Sequence, residues 1–197
     1  MTYILIALIA YLIGNIPGSY MVSMLAYAED IRTKGSGNAG TTNMLRTYGW
    51  LPAIITLVID FFKGYLAVFI AGKFNEVYGI YLAGVMVVVG HCWPIVLGFK
   101  GGKGMATTGG VMLYHLPLFL SVALILFFII NFIGKIMSLT SLILMVVGTL
   151  YIIIFHGHNI PLMIMTIILA IIVVYSHRSN IQRLKEGKEN KITIKRR

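Results

Sequence analysis

The chain has 197 residues, of which 58% are hydrophobic and only 11% are charged, and its mean hydropathy is +0.90. This composition excludes a soluble globule with a polar surface and indicates an integral membrane protein. The net charge of +10 is concentrated in the C-terminal tail, from about residue 178, which the positive-inside rule predicts to be cytoplasmic. Beside a membrane, such a tail is expected to bind anionic lipid headgroups, and no nucleic-acid partner is expected.

Six apolar runs follow one another along the chain, at residues 3–25, 50–71, 79–97, 105–134, 136–154 and 160–176. The first run has no basic segment before it and is long enough to span a bilayer, so we interpret it as a retained helix rather than a secretory signal. The single cysteine, Cys92, excludes an internal disulfide. Because no internal repeat, soluble domain or low-complexity tract interrupts the series, we expect one membrane-embedded domain over residues 1–197.

The fourth run decides the predicted topology. As a single crossing it gives six spans and leaves Lys100 and Lys103 on the opposite side of the membrane from Lys135. As a hairpin that breaks within residues 114–117, it gives seven crossings and gathers these cations in the cytoplasm. The two helices of the hairpin would then each be only ~21 Å long at ~1.5 Å per residue, short of the ~30 Å hydrocarbon core. We therefore expect an all-α membrane protein of about seven transmembrane helices, two of them short, with the N-terminus outside and the C-terminus cytoplasmic.

A glycine-rich, cation-bearing segment follows the first run. Gly35, Gly37 and Gly40 match the G-x-G-x-x-G spacing of dinucleotide-binding loops, but a transmembrane helix precedes them where that motif needs a strand. Glycines still let backbone N–H groups approach an anion, and a helix N-terminus after them adds positive potential. The segment therefore predicts a phosphate site, with a flexible loop as the alternative, and its candidate residues are Ser36, Gly37, Asn38, Thr42, Asn43 and Arg46.

A second segment repeats this chemistry before the fourth run. Lys100 and Lys103 flank paired glycines, although the spacing of a Walker A loop is absent. We expect a second anion cradle here, while the alternative is that the lysines only mark the membrane interface. The other candidates are Gly101, Gly102, Gly104, Thr107 and, at the end of the third run, His91, which could instead be a structural hydrogen-bonding residue.

Two charged residues, Asp60 and Lys63, lie within the second run. Charges at that depth are costly and mark either function or a paired structural site. Their i, i+3 spacing permits an ion pair on one helix face. We assign them to structure first, and direct contact with a substrate is the alternative.

Further polar candidates face the same predicted leaflet. His177 could act as acid or base near neutral pH, Arg178 could bind phosphate, and Asn180 could orient a polar group. Ser138 and Ser141 are also candidates, although serines in membrane helices commonly bond their own i−4 carbonyl instead. The pair of histidines at residues 156 and 158 is expected in an outer loop, and no metal site is predicted.

Several motifs, in this order, resemble those of the bacterial acyl-phosphate:glycerol-3-phosphate acyltransferases of the PlsY type. They are Ser36-Gly37-Asn38-x-Gly40-x-Thr42-Asn43-x-x-Arg46, Asp60-x-x-Lys63-Gly64, Gly90-His91-x-x-Pro94 with Phe99-Lys100-Gly101-Gly102-Lys103-Gly104-x-Ala106-Thr107, Ser138-Leu139-x-Ser141, and His177-Arg178-x-Asn180-Ile181. The family usually carries Glu within the last motif, where this chain has Ser179.

The resemblance implies transfer of a fatty acyl group from a long-chain acyl phosphate to the 1-hydroxyl of sn-glycerol 3-phosphate. The products would be lysophosphatidic acid and phosphate, in the first step of bacterial phospholipid synthesis. It implies a multi-pass protein of the bacterial cell membrane with a cytoplasmic active site, no cofactor, and a functional link to the enzyme that supplies the acyl phosphate. Catalytic roles would fall on Ser36, Lys103, His177 and Asn180, and substrate binding on the other candidates.

Two other functions agree less well with the sequence. A small-anion transporter would suit several helices with cationic loops, but transporters line a path to both faces, and here the polar motifs crowd one face. An alcohol phosphotransferase acting on a nucleotide-linked lipid would need a cluster of metal-binding aspartates, and the membrane part of the chain has a single Asp. The transporter is therefore the main alternative.

Overall fold

The computed structural model describes residues 1–74 and 76–191, so Lys195, Arg196 and Arg197 of the predicted basic tail lie outside the described residues. Within the described residues all regular structure is helical, with two short 3-10 turns at Ile31–Thr33 and Ile95–Leu97. The α-helices are α1 (Thr2–Gly14), α2 (Gly18–Tyr27), α3 (Thr41–Tyr48), α4 (Trp50–Gly72), α5 (Gly79–Cys92), α6 (Met105–His115), α7 (Pro117–Gly134), α8 (Met137–His156), α9 (Ile160–Ser176) and α10 (Arg178–Lys185).

Five helical stretches are long and apolar enough to cross a membrane, and a sixth is added if α9 and α10 form one bent span. The first stretch combines α1 and α2, and the others are α4, α5 with the turn after it, α7 and α8. The prediction of an all-helical, multi-pass membrane protein is confirmed. The count of seven stays a prediction, since α6 has 11 residues and is only ~16 Å long at ~1.5 Å per residue.

The predicted break in the fourth apolar run is confirmed. α6 ends at His115, Leu116 leaves the helical region with φ −145° and ψ 74°, and Pro117 begins α7. A residue before proline avoids the helical conformation, whereas proline itself is favoured in the first turn of a helix. The expectation of two similarly short helices is wrong, because α7 continues for 18 residues to Gly134 and only α6 is short.

The first span is broken at residues 15–17, where the side chains of Asn15 and of Lys63 from α4 bond to backbone groups. Asn15 donates from Nδ2 to the carbonyl of Tyr11 at 2.7 Å and accepts from the N–H of Ile95 at 2.6 Å. The Nζ of Lys63 donates to the carbonyl of Ile16 at 2.7 Å. Within a bilayer, backbone groups freed by a helix break need such partners.

Glycines bring two pairs of helices into close contact. A methyl group at Gly14 or Gly90 would overlap a backbone carbonyl across the interface between α1 and α5. Gly64 of α4 and Gly110 of α6 are crowded in the same way, by the carbonyls of Thr107 and Phe61 respectively. Small residues let helix backbones approach closely, which is how membrane helices gain packing contacts where lipid already surrounds their apolar side chains.

We expect Gly110→Ala to weaken the packing of α4 on α6 and so to lower the stability of the protein. The added methyl would overlap the carbonyl of Phe61, and overpacking of this kind costs about 1–3 kcal/mol. Gly134→Ala is the matched control, because no atom lies within 4 Å of a methyl built there. Thermal unfolding of the purified variants in detergent checks the prediction, and equal midpoints for the two variants would contradict it.

Candidate active site

A cavity of about 310 Å³ lies between α3, α4, α6, α7, α8 and the tail that follows α10. One end is polar and is lined by both glycine-rich segments, the start of α8 and the tail. The other end is apolar and is lined by side chains of α4, α6, α7 and α8. The predicted site residues that line the cavity are Ser36, Asn38, Thr42, Asn43, Arg46, His91, Lys103, Gly104, Ser138, Ser141 and Asn180.

Asn43 organises the first glycine segment from beneath. Its side chain is buried, and the two hydrogens of Nδ2 are shared among the carbonyls of Ile31, Lys34 and Asn38, at 3.0–3.1 Å. Its Oδ1 accepts from the N–H of Ser36 at 2.9 Å. Because these bonds occupy both ends of the amide, Asn43 holds the loop in shape and has little capacity left for a phosphate.

The glycines of this segment shape the loop. Gly35 and Gly37 have φ of +56° and +72°, in the left-handed region that glycine enters without strain. The N–H of Gly37 donates to the carbonyl of Lys34 at 2.9 Å, and that of Gly40 donates to the carbonyl of Asn38 at 3.1 Å. These N–H groups are therefore engaged within the loop. The sequence-based expectation that they face an anion is wrong.

Donors for an anion come instead from the start of α3. Thr41 and Thr42 line the cavity at its N-terminus, where first-turn N–H groups have no partner within the helix. Arg46 lies one turn after Thr42 on the same helix face. Its Nη2 donates to the carbonyl of Asn190 at 3.0 Å, while its Nε is buried without a partner among the described residues.

In the second segment, the paired glycines dock and Lys103 reaches the cavity. The N–H groups of Gly101 and Gly102 donate to the carbonyls of Cys92 and His91, both at 3.1 Å. A methyl group at either glycine would overlap the end of α5. The structure thus uses the pair to bring the loop close to α5, and this contact directs Lys103 toward the polar end of the cavity.

The remaining candidates of this segment lie elsewhere. Lys100 is exposed and does not line the cavity, and Thr107 is buried where α6 packs on Gly64. Gly37, Gly101 and Gly102 also do not line it. Of the two lysines that flank the glycine pair, only Lys103 is placed to meet a ligand in this cavity.

Lys103 sits in a mixed electrostatic environment. Burial lowers the pKa of its ammonium to about 8, the carboxylate of Glu189 acts in the opposite direction, and the guanidinium groups of Arg183 and Arg46 act with burial. Within the described residues no carboxylate lies within 4 Å of its Nζ. Near neutral pH the site therefore holds a half-buried ammonium without an ion-pair partner, which favours an anionic ligand.

Ser138 and Ser141 lie on the first turns of α8 and line the cavity. The hydroxyl of Ser138 is buried and makes no hydrogen bond of good geometry in the described structure, so it does not bond its own i−4 carbonyl. It lies close enough to the carboxylate of Glu189 to help lower the pKa of that group. Thr140 and Thr149 of the same helix do make that bond, at 3.3 and 2.7 Å. Ser138 lies in the first turn of α8, where no carbonyl of the same helix lies four residues before it, so its hydroxyl is left to face the cavity.

After α9 the chain bends by 59° into α10 and supplies the last wall of the polar end. Asn180 lines the cavity and donates from Nδ2 to Glu189 at 2.8 Å. His177 is buried beside the cavity lining, with its Nδ1 bonded to the carbonyl of Val173 at 2.8 Å. Arg178 is exposed and lies over the ring of Tyr175 at 4.6 Å, outside the cavity.

Unpartnered polar atoms are concentrated in this cavity. Among the described residues, nine buried side-chain polar atoms have no hydrogen-bond partner. Five of them belong to residues that line the cavity: Thr41, Arg46, Thr108, Ser138 and Asn180. Buried polar groups normally have hydrogen-bond partners, so this cluster is what a site for a polar ligand would present.

In residues 1–74 and 76–191, no group of three or more His, Cys, Asp or Glu side chains could hold a metal ion.

The predicted ion pair in the second run is confirmed. Lys63 Nζ lies 2.8 Å from Oδ1 of Asp60, and both side chains are buried. His91 completes the group with Nδ1 3.5 Å from the same oxygen, and its ring packs against Gly102. Asp60 and His91 reach the cavity wall, but their polar contacts are mainly with each other and with Lys63. The group therefore serves first as structure.

Sequence reasoning missed part of the site. Glu189 and Thr108 line the cavity, and Arg183 pairs with Glu189 at 2.9 Å. The sequence signal for Glu189 was weak, because it lies in a basic tail that resembles a membrane-surface anchor. Only the reversal of the chain after α10 brings it to Asn180.

The apolar end forms a channel among the helices. α7 contributes Phe119, Leu120, Ala123, Leu124, Phe127 and Phe128, and α8 contributes Leu144, Met145, Gly148 and Thr149. From Ser138 to Thr149 the cavity follows α8 for roughly 17 Å at ~1.5 Å per residue. A ligand that fills both ends has an anionic head and a long apolar chain.

Comparisons with known proteins agree with this geometry. The sequence model of the family described as glycerol-3-phosphate acyltransferase matches residues 4–187. The chain belongs to the glycerol-3-phosphate acyltransferase family. It is 43% identical over 189 residues to the glycerol-3-phosphate acyltransferase of Finegoldia magna, covering 96% of each chain. It is 39% identical over 188 residues to that of Bacillus subtilis, covering 95% of this chain and 96% of that one.

The fold is also similar to that of a solved structure. The chain is similar to PlsY, an integral membrane glycerol 3-phosphate acyltransferase, crystallised in its glycerol 3-phosphate form, with a TM-score of 0.91 and 30% identity. The alignment covers 98% of this chain and 96% of that one. The resemblance drawn from the motifs is therefore confirmed, and the chain is a membrane acyltransferase rather than an anion transporter.

We expect Lys63→Met to destabilise the protein strongly. It would leave the carboxylate of Asp60 buried without its ion-pair partner and the carbonyl of Ile16 without its donor, and breaking a buried pair costs about 3–5 kcal/mol. Lys185→Met, which removes the same charge from an exposed position, is the control and should stay within about 0.5 kcal/mol. Thermal unfolding in detergent compares the two, and a similar midpoint for both would show that the pair is not structural.

Proposed function

We propose that this acyltransferase moves a fatty acyl group from a long-chain acyl phosphate to the 1-hydroxyl of glycerol 3-phosphate. The bond between the acyl carbon and the phosphate oxygen breaks, and an ester bond to the glycerol oxygen forms, giving lysophosphatidic acid and phosphate. The relatives named glycerol-3-phosphate acyltransferase and the PlsY structures in their glycerol 3-phosphate and lysophosphatidic acid forms support the acceptor and the product. One membrane-embedded domain over residues 1–197 would carry the whole reaction.

The observation that carries the proposal is the amphiphilic cavity. Its polar end gathers Lys103, Arg46 and the start of α3, and its apolar end runs between α7 and α8. An acyl phosphate has the same division, with a charged mixed anhydride at one end and a hydrocarbon chain at the other. Cations fixed in a site of low dielectric stabilise both phosphates and the charge that develops on the leaving group.

Roles follow from position in the cavity. Lys103, Arg46, Ser36, Asn38 and Ser141 bind the phosphates. Asn180 holds the acceptor hydroxyl, and Gly37, Lys100, Gly101, Gly102, Thr107 and Arg178 act outside the cavity, by shaping loops or at the surface. An acyl phosphate is already activated, so positioning and charge neutralisation suffice without a covalent nucleophile.

The proton of the hydroxyl passes to a phosphate oxygen of one of the substrates. His177 is less suited to this transfer, because its side chain does not line the cavity and its Nδ1 is bonded to a backbone carbonyl. A phosphate with a second pKa near 6 is a competent base at neutral pH. His177 then supports the wall next to Asn180.

The reaction would take place at the cytoplasmic face of the bacterial cell membrane. One cavity end is lined by Lys103, which precedes α6, and by Ser138, which follows α7, so an even number of crossings between them is the simplest arrangement. That arrangement supports seven crossings with α6 as the short one, the N-terminus outside and the basic tail in the cytoplasm. Acyl phosphate from the enzyme that makes it would reach the site from that side.

Thiol labelling tests this topology. In a background lacking Cys92, a cysteine in place of Leu118 should react with a membrane-impermeant reagent in intact cells, because Leu118 is exposed at the outer turn of the hairpin. A cysteine in place of Lys135 should react only after permeabilisation, and one in place of Lys73 is the outer reference. Labelling of the Leu118 and Lys135 positions from the same side would contradict the hairpin crossing.

Activity should fall as the pH rises through about 8, because Lys103 then loses its proton while the phosphates keep their charge. The sign follows from burial, which depresses the pKa in the folded protein, so the ammonium is present below about 8 and absent above it. We expect kcat/KM for glycerol 3-phosphate to show this alkaline limb in the wild type. Lys103→Arg should shift the limb upward, since arginine stays charged.

The same lysine has a matched comparison. Lys103→Met should lower kcat/KM by about 10²- to 10³-fold, the usual loss when one fixed charge-stabilising donor is removed. Lys100→Met, which removes the other lysine beside the glycine pair, should have a much smaller effect because Lys100 is exposed outside the cavity. Equal losses for both variants, or an alkaline limb unchanged in Lys103→Arg, would assign the effect to another group.

The reaction itself is tested by phosphate release from purified protein with palmitoyl phosphate and glycerol 3-phosphate. Release that depends on glycerol 3-phosphate and is accompanied by lysophosphatidic acid supports the proposal. A parallel reaction with acyl-CoA tests the donor, and we expect none. Turnover with acyl-CoA but not with palmitoyl phosphate would keep the acyltransferase and overturn the proposed donor.

A further inference from the structure

The tail after α10 turns back into the polar end of the cavity and brings Glu189 there. The side chain of Glu189 is only 3% exposed, and it lines the cavity together with Asn180. Its Oε1 accepts from Nδ2 of Asn180 at 2.8 Å, and its Oε2 accepts from Nε of Arg183 at 2.9 Å. The next residue, Asn190, is held against α3 by Arg46 at 3.0 Å. The carboxylate is therefore fixed from two sides.

This contact determines which way the amide of Asn180 points. A carboxylate can only accept hydrogen bonds, so Asn180 must turn its NH₂ group toward Glu189. The carbonyl oxygen, Oδ1, is then directed away from Glu189. That Oδ1 is buried and has no partner among the described residues, although Asn180 itself lines the cavity. The free group is thus an acceptor with a defined orientation.

We propose that Glu189 is a positioning residue for acyl transfer, which orients Asn180 so that its Oδ1 accepts the hydrogen bond of the acceptor hydroxyl. The inference rests on the proposed function, since it assigns a place to the hydroxyl of glycerol 3-phosphate. A hydroxyl held by its hydrogen keeps its oxygen lone pairs free to face the acyl carbon. If the amide rotated by 180°, it would offer NH₂ instead, which occupies similar space but cannot accept that bond.

Glu189 orients and does not take the proton itself. Burial raises the pKa of its carboxyl, but the hydrogen bonds from Asn180 and Arg183, the charge of Arg183 and the nearby hydroxyl of Ser138 together outweigh this and hold the pKa below its ordinary value. Each oxygen also accepts a hydrogen bond, Oε1 from Asn180 and Oε2 from Arg183, and these bonds stabilise the ionised form. The oxygen of Asn180 is too weak a base to take the proton either, so as the ester bond forms the hydroxyl proton leaves its hydrogen bond to Oδ1 and passes to a phosphate oxygen of a substrate.

Steady-state kinetics with palmitoyl phosphate and glycerol 3-phosphate test the proposal on four full-length variants. Glu189→Gln should lower kcat by about 10- to 100-fold, because a neutral amide no longer dictates the orientation of Asn180. Glu186→Gln is the matched control, since Glu186 lies in the same tail but is exposed and contacts Lys188 at 3.4 Å. It should stay within about twofold of the wild type.

Asn180→Asp and the double variant Asn180→Asp/Glu189→Gln separate orientation from simple tethering of the tail. The single change places two carboxylates against each other and should be nearly inactive. In the double variant the new glutamine amide can donate to the new aspartate, which again leaves one acceptor oxygen toward the cavity at an unchanged net charge. We expect kcat of the double variant to be at least about tenfold higher than that of Asn180→Asp.

The outcomes are distinguishable. If the wild type shows no release that depends on glycerol 3-phosphate, the proposed function fails and this inference fails with it. If the wild type is active and Glu189→Gln equals Glu186→Gln, the inference alone is overturned. If Glu189→Gln is slow but the double variant is no better than Asn180→Asp, Glu189 only tethers the tail, which also overturns it. Should Glu189→Gln not fold, Glu189→Asp replaces it, because it keeps the charge beside Arg183 but withdraws the carboxylate from Asn180.

Discussion

The buried ion pair between Asp60 and Lys63 is the interaction on which the arrangement of the polar half depends. Burying two charges in a membrane protein is costly unless each finds good partners. Here Lys63 also satisfies the carbonyl that the break in the first span frees, and Asp60 lies against His91 at the end of α5. His91 in turn packs on Gly102 of the second glycine segment. One pair therefore joins the first span, α4, α5 and a loop of the site.

In both loop segments the glycines shape the backbone, and the side chains supply the groups that reach the cavity. The glycines allow left-handed turns and close approach to neighbouring backbone, and their N–H groups are largely used inside the loops. The groups that reach the cavity are side chains such as Lys103 and Arg46, together with the start of α3. Asn43 holds the first segment in this way and the end of α5 holds the second, so both present their donors with little freedom, which is what preorganised charge stabilisation requires.

The cavity has two environments, a polar end near the loops and an apolar channel between α7 and α8. Burial depresses the pKa of Lys103 by removing its ammonium from water, and the carboxylate of Glu189 offsets this only in part, so the site favours an anion that pairs with the ammonium. The tail adds a carboxylate at Glu189, but one that is already bonded to Asn180 and Arg183. The cations thus remain available to substrates while the amide is oriented.

The sequence alone determined the membrane environment, the break between α6 and α7, the ion pair in α4 and most polar residues of the cavity, because composition, proline and charge spacing act locally. It could not predict that Lys103 enters the cavity while Lys100 does not, or that the N–H groups of Gly101 and Gly102 are engaged by α5. Nor could it find Glu189, which looks like part of a basic surface tail. These features depend on which distant segments pack together, and only the tertiary structure decides that.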